Sequence, residues 1–187
     1  MLDPLIRRYA SPPATRIAAL GLSPTALTVA GFALGIAAVP AIERHAYAVA
    51  LALIAVGRLL DAAGAISARP SQPEPFADYT GRILDLIWTA SVPFAFALAE
   101  PDRALAAMFL VFGLTVRAVT PPIAGQADPP GRVLDAGGRL VEKSELFVAY
   151  ALACVFPDRF SIIAYTLGML CFVMVGFRVA RAGLRRS

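Results

Sequence analysis

Charged side chains are costly inside apolar helices, so those that interrupt hydrophobic runs are the first guide to chemistry. Here they are Arg58, Asp61, Asp85, Arg117, Glu142, Lys143 and Glu145. Carboxylates hold hard cations or accept protons, and basic groups bind phosphate. With helices placed as below, Arg58 and Asp61 end a second span, Asp85 begins a third, Arg117 ends a fourth, and Glu142, Lys143 and Glu145 begin a fifth. All lie toward one leaflet, which predicts a hydrated crater open to one side. Channels and coupled transporters more often place polar groups near the midplane. A one-sided crater suits an enzyme acting on a lipid headgroup, with a small transporter as an alternative.

Each of these residues also has a plainer role. Arg58 lies three residues before Asp61, and Arg82 three before Asp85, so each aspartate has a helical neighbour to pair with. Glu142 and Glu145 are spaced to pair with Arg139 and Lys143. Gly64, Ala65 and Ala68 recur with Asp61 at helical spacing and form a small-residue packing face. Arg69, Arg117, Arg139 and Lys143 fit phosphate or anionic-lipid contacts, and equally fit charges that set topology. His45 in a turn and Trp88 in a span carry no signal beyond interface or packing.

The elements that position these groups follow from composition. The 187 residues are 58% hydrophobic, with a mean hydropathy of +0.69, so lipid must be part of the solvent. Spans are predicted near 25–42, 47–68, 78–99, 103–119, 139–156 and 160–179. Leu2, Leu5, Ile6 and Tyr9 share one helical face with Arg7 and Arg8 opposite, which suits an interfacial amphipathic helix. The expected organisation is an interfacial segment over 1–22 and a six-helix transmembrane bundle over 23–187, an all-α integral membrane protein. The longest loop is the Pro/Gly-rich stretch from Pro121 to Gly138.

Basic residues set the orientation. All of the 17 except Arg44, Arg103 and Arg159 fall on one side of the six-span arrangement, which puts both termini and the crater in the cytoplasm. The net charge of +4 is spread between apolar runs instead of along one aromatic-interleaved face, so no nucleic-acid partner is expected. Cys154 and Cys171 lie within apolar runs and form neither a disulfide framework nor a metal-ligand spacing. A removed signal peptide is not expected.

The stretch Asp61-Ala62-Ala63-Gly64-Ala65-Ile66-Ser67-Ala68-Arg69, with Ala77-Asp78-Tyr79-Thr80-Gly81-Arg82-Ile83-Leu84-Asp85 seven residues later, resembles the signature of the CDP-alcohol phosphatidyltransferases. That pattern reads D-x-x-D-G-x-x-A-R, seven or eight residues, then G-x-x-x-D-x-x-x-D. Asp61, Ala68-Arg69 and Asp85 match it, whereas Gly64 and Gly81 stand where two aspartates belong. Ser23-Pro24-Thr25-Ala26-Leu27-Thr28 followed by Gly31 is similar to the family's opening Pro-Asn-x-Leu-Thr segment, with Thr25 for Asn.

The resemblance implies transfer of a phosphatidyl-type group from a CDP-linked lipid donor to an alcohol acceptor, with release of CMP, in phospholipid biosynthesis. It implies Mg²⁺ or Mn²⁺ held by aspartates, with Asp61 as a metal ligand and Asp85 as ligand and catalytic base. Asp61, Ala65, Ala68, Arg69 and Thr25 take the donor-binding positions, and a homodimer is implied, for which small-residue faces are suited. Loss of carboxylates at Gly64 and Gly81 predicts a weak single-metal site or none, because ligand charge sets affinity. Asp78 shares a helix face with Gly81 and Asp85 and is a substitute ligand, although helical rise puts it about 4.5 Å from position 81. The alternative is an inactive pseudoenzyme that keeps the fold as a lipid- or nucleotide-binding or assembly partner.

Overall fold

The computed structural model describes residues 15–19, 22–67, 75–119 and 134–184, with backbone alone at 75–78, 134–144, 177–178 and 180–184. The expected interfacial face of Leu2, Leu5, Ile6 and Tyr9 lies outside the described residues. After a helical turn at 15–18, the described chain forms long helices α1 (Pro24–Glu43), α2 (Tyr47–Ser67), α3 (Pro75–Ala99), α4 (Ala104–Val119), α5 (Leu134–Val155) and α6 (Phe160–Leu184). Short 3-10 turns at Pro101–Arg103 and Pro157–Arg159 precede α4 and α6.

Local chemistry sets the start of α1. The Ser23 hydroxyl accepts a bond from the Ala26 N–H at 3.2 Å, and Pro24 occupies the first helical turn, where its missing N–H costs nothing. At the other end His45 takes a left-handed backbone with φ 58°. Its N–H bonds Ile42 O, and Ala46 N–H bonds Ala41 O, closing the turn into α2.

Small residues fix how closely the first helices approach. The inward face of α1 is Leu27, Gly31, Gly35, Ala38 and Ile42, and that of α2 includes Ala50, Ile54 and Gly57. A Cβ on Gly31 would lie 2.6 Å from Gly57 O, and one on Gly57 would lie 2.7 Å from Gly31 O. The two backbones therefore touch, as small-residue faces permit. Beside Gly35 the vacated space holds the Trp88 indole of α3. The most extensive packing is α1 on α2, then α4 on α6 and α1 on α3, with α3 on α4 and α2 on α5 completing the bundle.

Deeper in, Phe96 stacks on Phe160 at 4.2 Å. The buried Tyr150 hydroxyl donates to Thr89 O at 2.5 Å, so this aromatic side chain is placed without an orphaned polar atom. At the end of α3 remote from Asp85, Arg103 is only 7% exposed. It pairs with Glu100 at 2.7 Å and Asp158 at 3.6 Å, tying together the two turns that open α4 and α6.

The outer surface is apolar. Leu105, Met108 and Phe112 form one stripe along α4, and Ile162, Tyr165, Met169 and Val173 another along α6, all exposed. Four helical segments are long and apolar enough to cross a membrane: Pro24–Glu43, Tyr47–Ser67, Tyr79–Ala99 and Pro157–Gly176. The expectation of six spans is met only in part among the described residues. Helix α4 has 16 residues, about 24 Å by helical rise against a hydrocarbon core of about 30 Å. The described apolar part of α5 is Glu145–Val155. Three boundaries also differ from the sequence expectation: α3 starts at Pro75 instead of Asp78, α6 runs on to Leu184 instead of ending near Val179, and α5 starts at Leu134, so Gly137 and Gly138 belong to a helix and not to the long loop.

Candidate functional site

The inward stripe of α2 that buries Ala50, Ile54 and Gly57 continues, four residues on, to Asp61. On α3 the same spacing aligns Gly81, Asp85, Trp88 and Val92. Both aspartates therefore turn into the bundle and away from lipid. They meet in an open cavity lined by Thr28, Gly31 and Phe32 of α1, Gly57, Arg58 and Asp61 of α2, and Gly81, Leu84, Asp85 and Trp88 of α3.

Arg58 organises this cavity. Its Nη1 lies 3.1 Å from Asp61 Oδ2 and 3.7 Å from Asp85 Oδ1, and its guanidinium carbon lies 4.9 Å from the centroid of Trp88. The contact to Asp61 is the helical pair expected from spacing. The contact to Asp85 joins two helices. Trp88 is buried, tilted on Tyr150 at 5.6 Å, and held beside Gly35, so the ring under the guanidinium is rigidly placed and supplies a cation–π contact.

The two glycines of the motif have opposite surroundings. A Cβ on Gly64 would lie 2.9 Å from Thr28 Oγ1, 3.0 Å from Pro24 O and 3.3 Å from Leu27 Cβ, whereas one on Gly81 would meet nothing within 4 Å. Position 64 is closed by α1. Position 81 opens on the cavity.

These facts bear on the divalent ions that the motif resemblance implies. Among the described residues, no group of three or more His, Cys, Asp or Glu converges. The carboxylates that do converge are Asp61 and Asp85, and both face a guanidinium. With every separation set at about 4 Å and an effective dielectric of about 20, each carboxylate attracts a dication by about 8 kcal/mol and Arg58 repels it by the same amount. Two carboxylates and one guanidinium thus keep about a quarter of the attraction of a four-carboxylate cage. The described residues do not fit a two-ion centre.

The other expected site residues are placed as follows. Thr25 is exposed in the first turn of α1, away from the cavity lining, and Thr28 one turn on takes the lining position. Ala65 is exposed as well. Arg117 of α4 is half-buried, with Nη1 4.0 Å from Cys171 Sγ on α6. Ala68 and Arg69, and the side chains of Asp78, Arg139 and Lys143, lie outside the described residues. Sequence reasoning missed Trp88, Phe32 and Thr28 as lining residues, and it missed the link from Arg58 to Asp85. Trp88 was within reach, because it follows Asp85 by three residues on the same face. The link between helices leaves no local spacing to detect.

No protein-family model matches the chain. No solved structure matches it either. Among curated proteins it is similar to the inner membrane protein YnjF of Escherichia coli (strain K12), with 34% identity over 169 residues, 85% of this chain and 82% of the relative. With its long apolar helices and lipid-like exterior, the chain is an integral membrane protein, and that identity over most of both chains makes it a member of the YnjF family.

Proposed function

We propose that this protein is a transferase of the CDP-alcohol phosphatidyltransferase type, moving a phosphatidyl-type group from a CDP-linked lipid to an alcohol with release of CMP. The observation that carries the proposal is the meeting of Asp61 and Asp85, the two aspartates retained from the motif, in one cavity beside Arg58. A randomly degraded motif gives no reason for residues of two different helices to stay together around a basic group.

The proposal includes six spans with an interfacial N-terminal helix, both termini in the cytoplasm, and a homodimer. The cavity then opens at the cytoplasmic headgroup region, where a lipid-anchored donor meets an acceptor. Asp85 takes the proton of the acceptor hydroxyl. The acceptor oxygen forms a bond to the lipid-bearing phosphorus as the bond from that phosphorus to CMP breaks, and the electron pair leaves with CMP. Asp85 then returns its proton to solvent. Arg69 meets donor phosphates, and Arg117, Arg139 and Lys143 supply further positive charge for phosphate or lipid. The residues described do not fit the two-ion centre, so no step is assigned to a metal.

One observation favours a second reading. Both carboxylates are already engaged by Arg58, which suits a relative that retains a lipid- or nucleotide-binding pocket without turnover. Purified protein in liposomes, given CDP-diacylglycerol and a panel of alcohols with and without divalent metal, separates the two. Alcohol-dependent CMP release is the result expected of the transferase. Donor binding with no CMP released from any pairing supports the second reading.

A further inference from the structure

We infer that Arg58 is the resident cation of this site: its guanidinium takes the place a divalent ion would need between Asp61 and Asp85, and its remaining donor edge binds ligand phosphate without metal. The ligand half of this inference rests on the donor reading proposed above, and the cation half does not.

Three observations lead to it. First, one nitrogen, Nη1, serves both carboxylates, at 3.1 and 3.7 Å. A guanidinium carries five N–H donors in a planar fork, so Nε and Nη2 remain for a second partner, and these two atoms have none among the described residues. Second, Arg58 is held on three sides by Asp61, Asp85 and the Trp88 ring at 4.9 Å, yet it lines the cavity and its side chain is 19% exposed. A fork anchored along one edge and open along the other matches two oxygens of a phosphate or diphosphate. Third, the positions that would restore a cage are unequal. Gly64 is closed by Thr28 and Pro24, and Gly81 offers open space but no ligand atom.

The test uses the full chain in nanodiscs with two probes. Mn²⁺ binding is followed by electron paramagnetic resonance for wild type, Arg58→Gln and Gly81→Asp. Wild type is expected to bind no tighter than ~1 mM, the weak end for carboxylate sites. Arg58→Gln, which removes the guanidinium charge from beside both carboxylates, and Gly81→Asp, which adds a carboxylate, are each expected to bind about tenfold tighter or more. Wild-type Mn²⁺ binding well below ~1 mM that disappears in Asp61→Asn overturns the cation half.

The second probe compares CDP-diacylglycerol with soluble CDP, with Mg²⁺ or with EDTA, to tell a lipid-borne from a free diphosphate. Affinity for one or both is expected to change less than about twofold with EDTA, to fall about tenfold or more in Arg58→Gln, and to recover in part in Arg58→Lys, which keeps the charge but not the fork. Loss of wild-type binding in EDTA overturns the phosphate half. Binding of neither probe by wild type in either condition overturns it too, together with the donor reading, while the Mn²⁺ measurement still decides the cation half.

Discussion

Putting an aspartate back at each motif glycine should have opposite consequences. At position 64 a Cβ alone would approach Thr28 Oγ1 to 2.9 Å, Pro24 O to 3.0 Å and Leu27 Cβ to 3.3 Å. Such overpacking costs about 1–3 kcal/mol in a well-packed interior. A carboxylate pushed against a helix backbone adds the penalty of a poorly paired buried charge, so Gly64→Asp is expected to destabilise by about 3–5 kcal/mol. At position 81 nothing lies within 4 Å, and replacing a helical glycine recovers a few tenths of a kcal/mol of backbone entropy, so Gly81→Asp stays within about 1 kcal/mol of wild type. Thermal unfolding of nanodisc samples, followed by tryptophan fluorescence, reads the difference. At about 2–4 °C per kcal/mol for a chain of this size, Gly64→Asp should lose about 6 °C or more and Gly81→Asp less than about 4 °C. Equal losses, or a Gly64→Asp protein as stable as wild type, would refute the claim that α1 closes one motif position and leaves the other open.

Gly31→Ala or Gly57→Ala should each cost about 2 kcal/mol or more, since the new Cβ meets a carbonyl oxygen of the facing backbone; the same thermal assay checks it. Arg103→Ala should cost about 1–2 kcal/mol, less than a fully buried pair because Glu100 and Asp158 are exposed. That loss should shrink in high salt. On the in/in topology, single cysteines from His45→Cys and Asp128→Cys should label from opposite sides of the membrane, and labelling from the same side would exclude six spans.

The cavity's charged residues were legible because a charge within an apolar run stands out at any resolution of reasoning. Asp61 and Asp85 could be selected and brought to one end of the bundle from helix order alone. Their shared partner could not, because the contact from Arg58 to Asp85 depends on how α2 is rotated against α3, and the sequence of neither helix records that angle. Gly64 and Gly81 make the same point: identical residues, both at motif positions, one pressed on α1 and the other facing open space. Trp88 was legible in position but not in role, since a tryptophan in a span usually only packs.

The helix ends show which local signals mislead. Pro75 starts α3 earlier than expected, a position where proline suits the first helical turn. Gly137 and Gly138 are poor helix formers and suggested a loop, yet α5 runs through both. Span number was the coarsest expectation, because hydropathy identifies α1, α2, α3 and α6 more clearly than the 16-residue α4 or the charged start of α5.

The central claim is that the Asp61/Asp85 cavity carries out alcohol-dependent transfer, with Asp85 as the base. The most direct measurement is CMP released from CDP-diacylglycerol by wild type and by Asp85→Asn in the same liposomes, across the alcohol panel, with folding checked by thermal unfolding. The account predicts release by wild type that depends on an alcohol, and a loss of about a hundredfold or more in Asp85→Asn, the scale of removing a general base, with donor affinity little changed. Equal CMP release by the two proteins would contradict it.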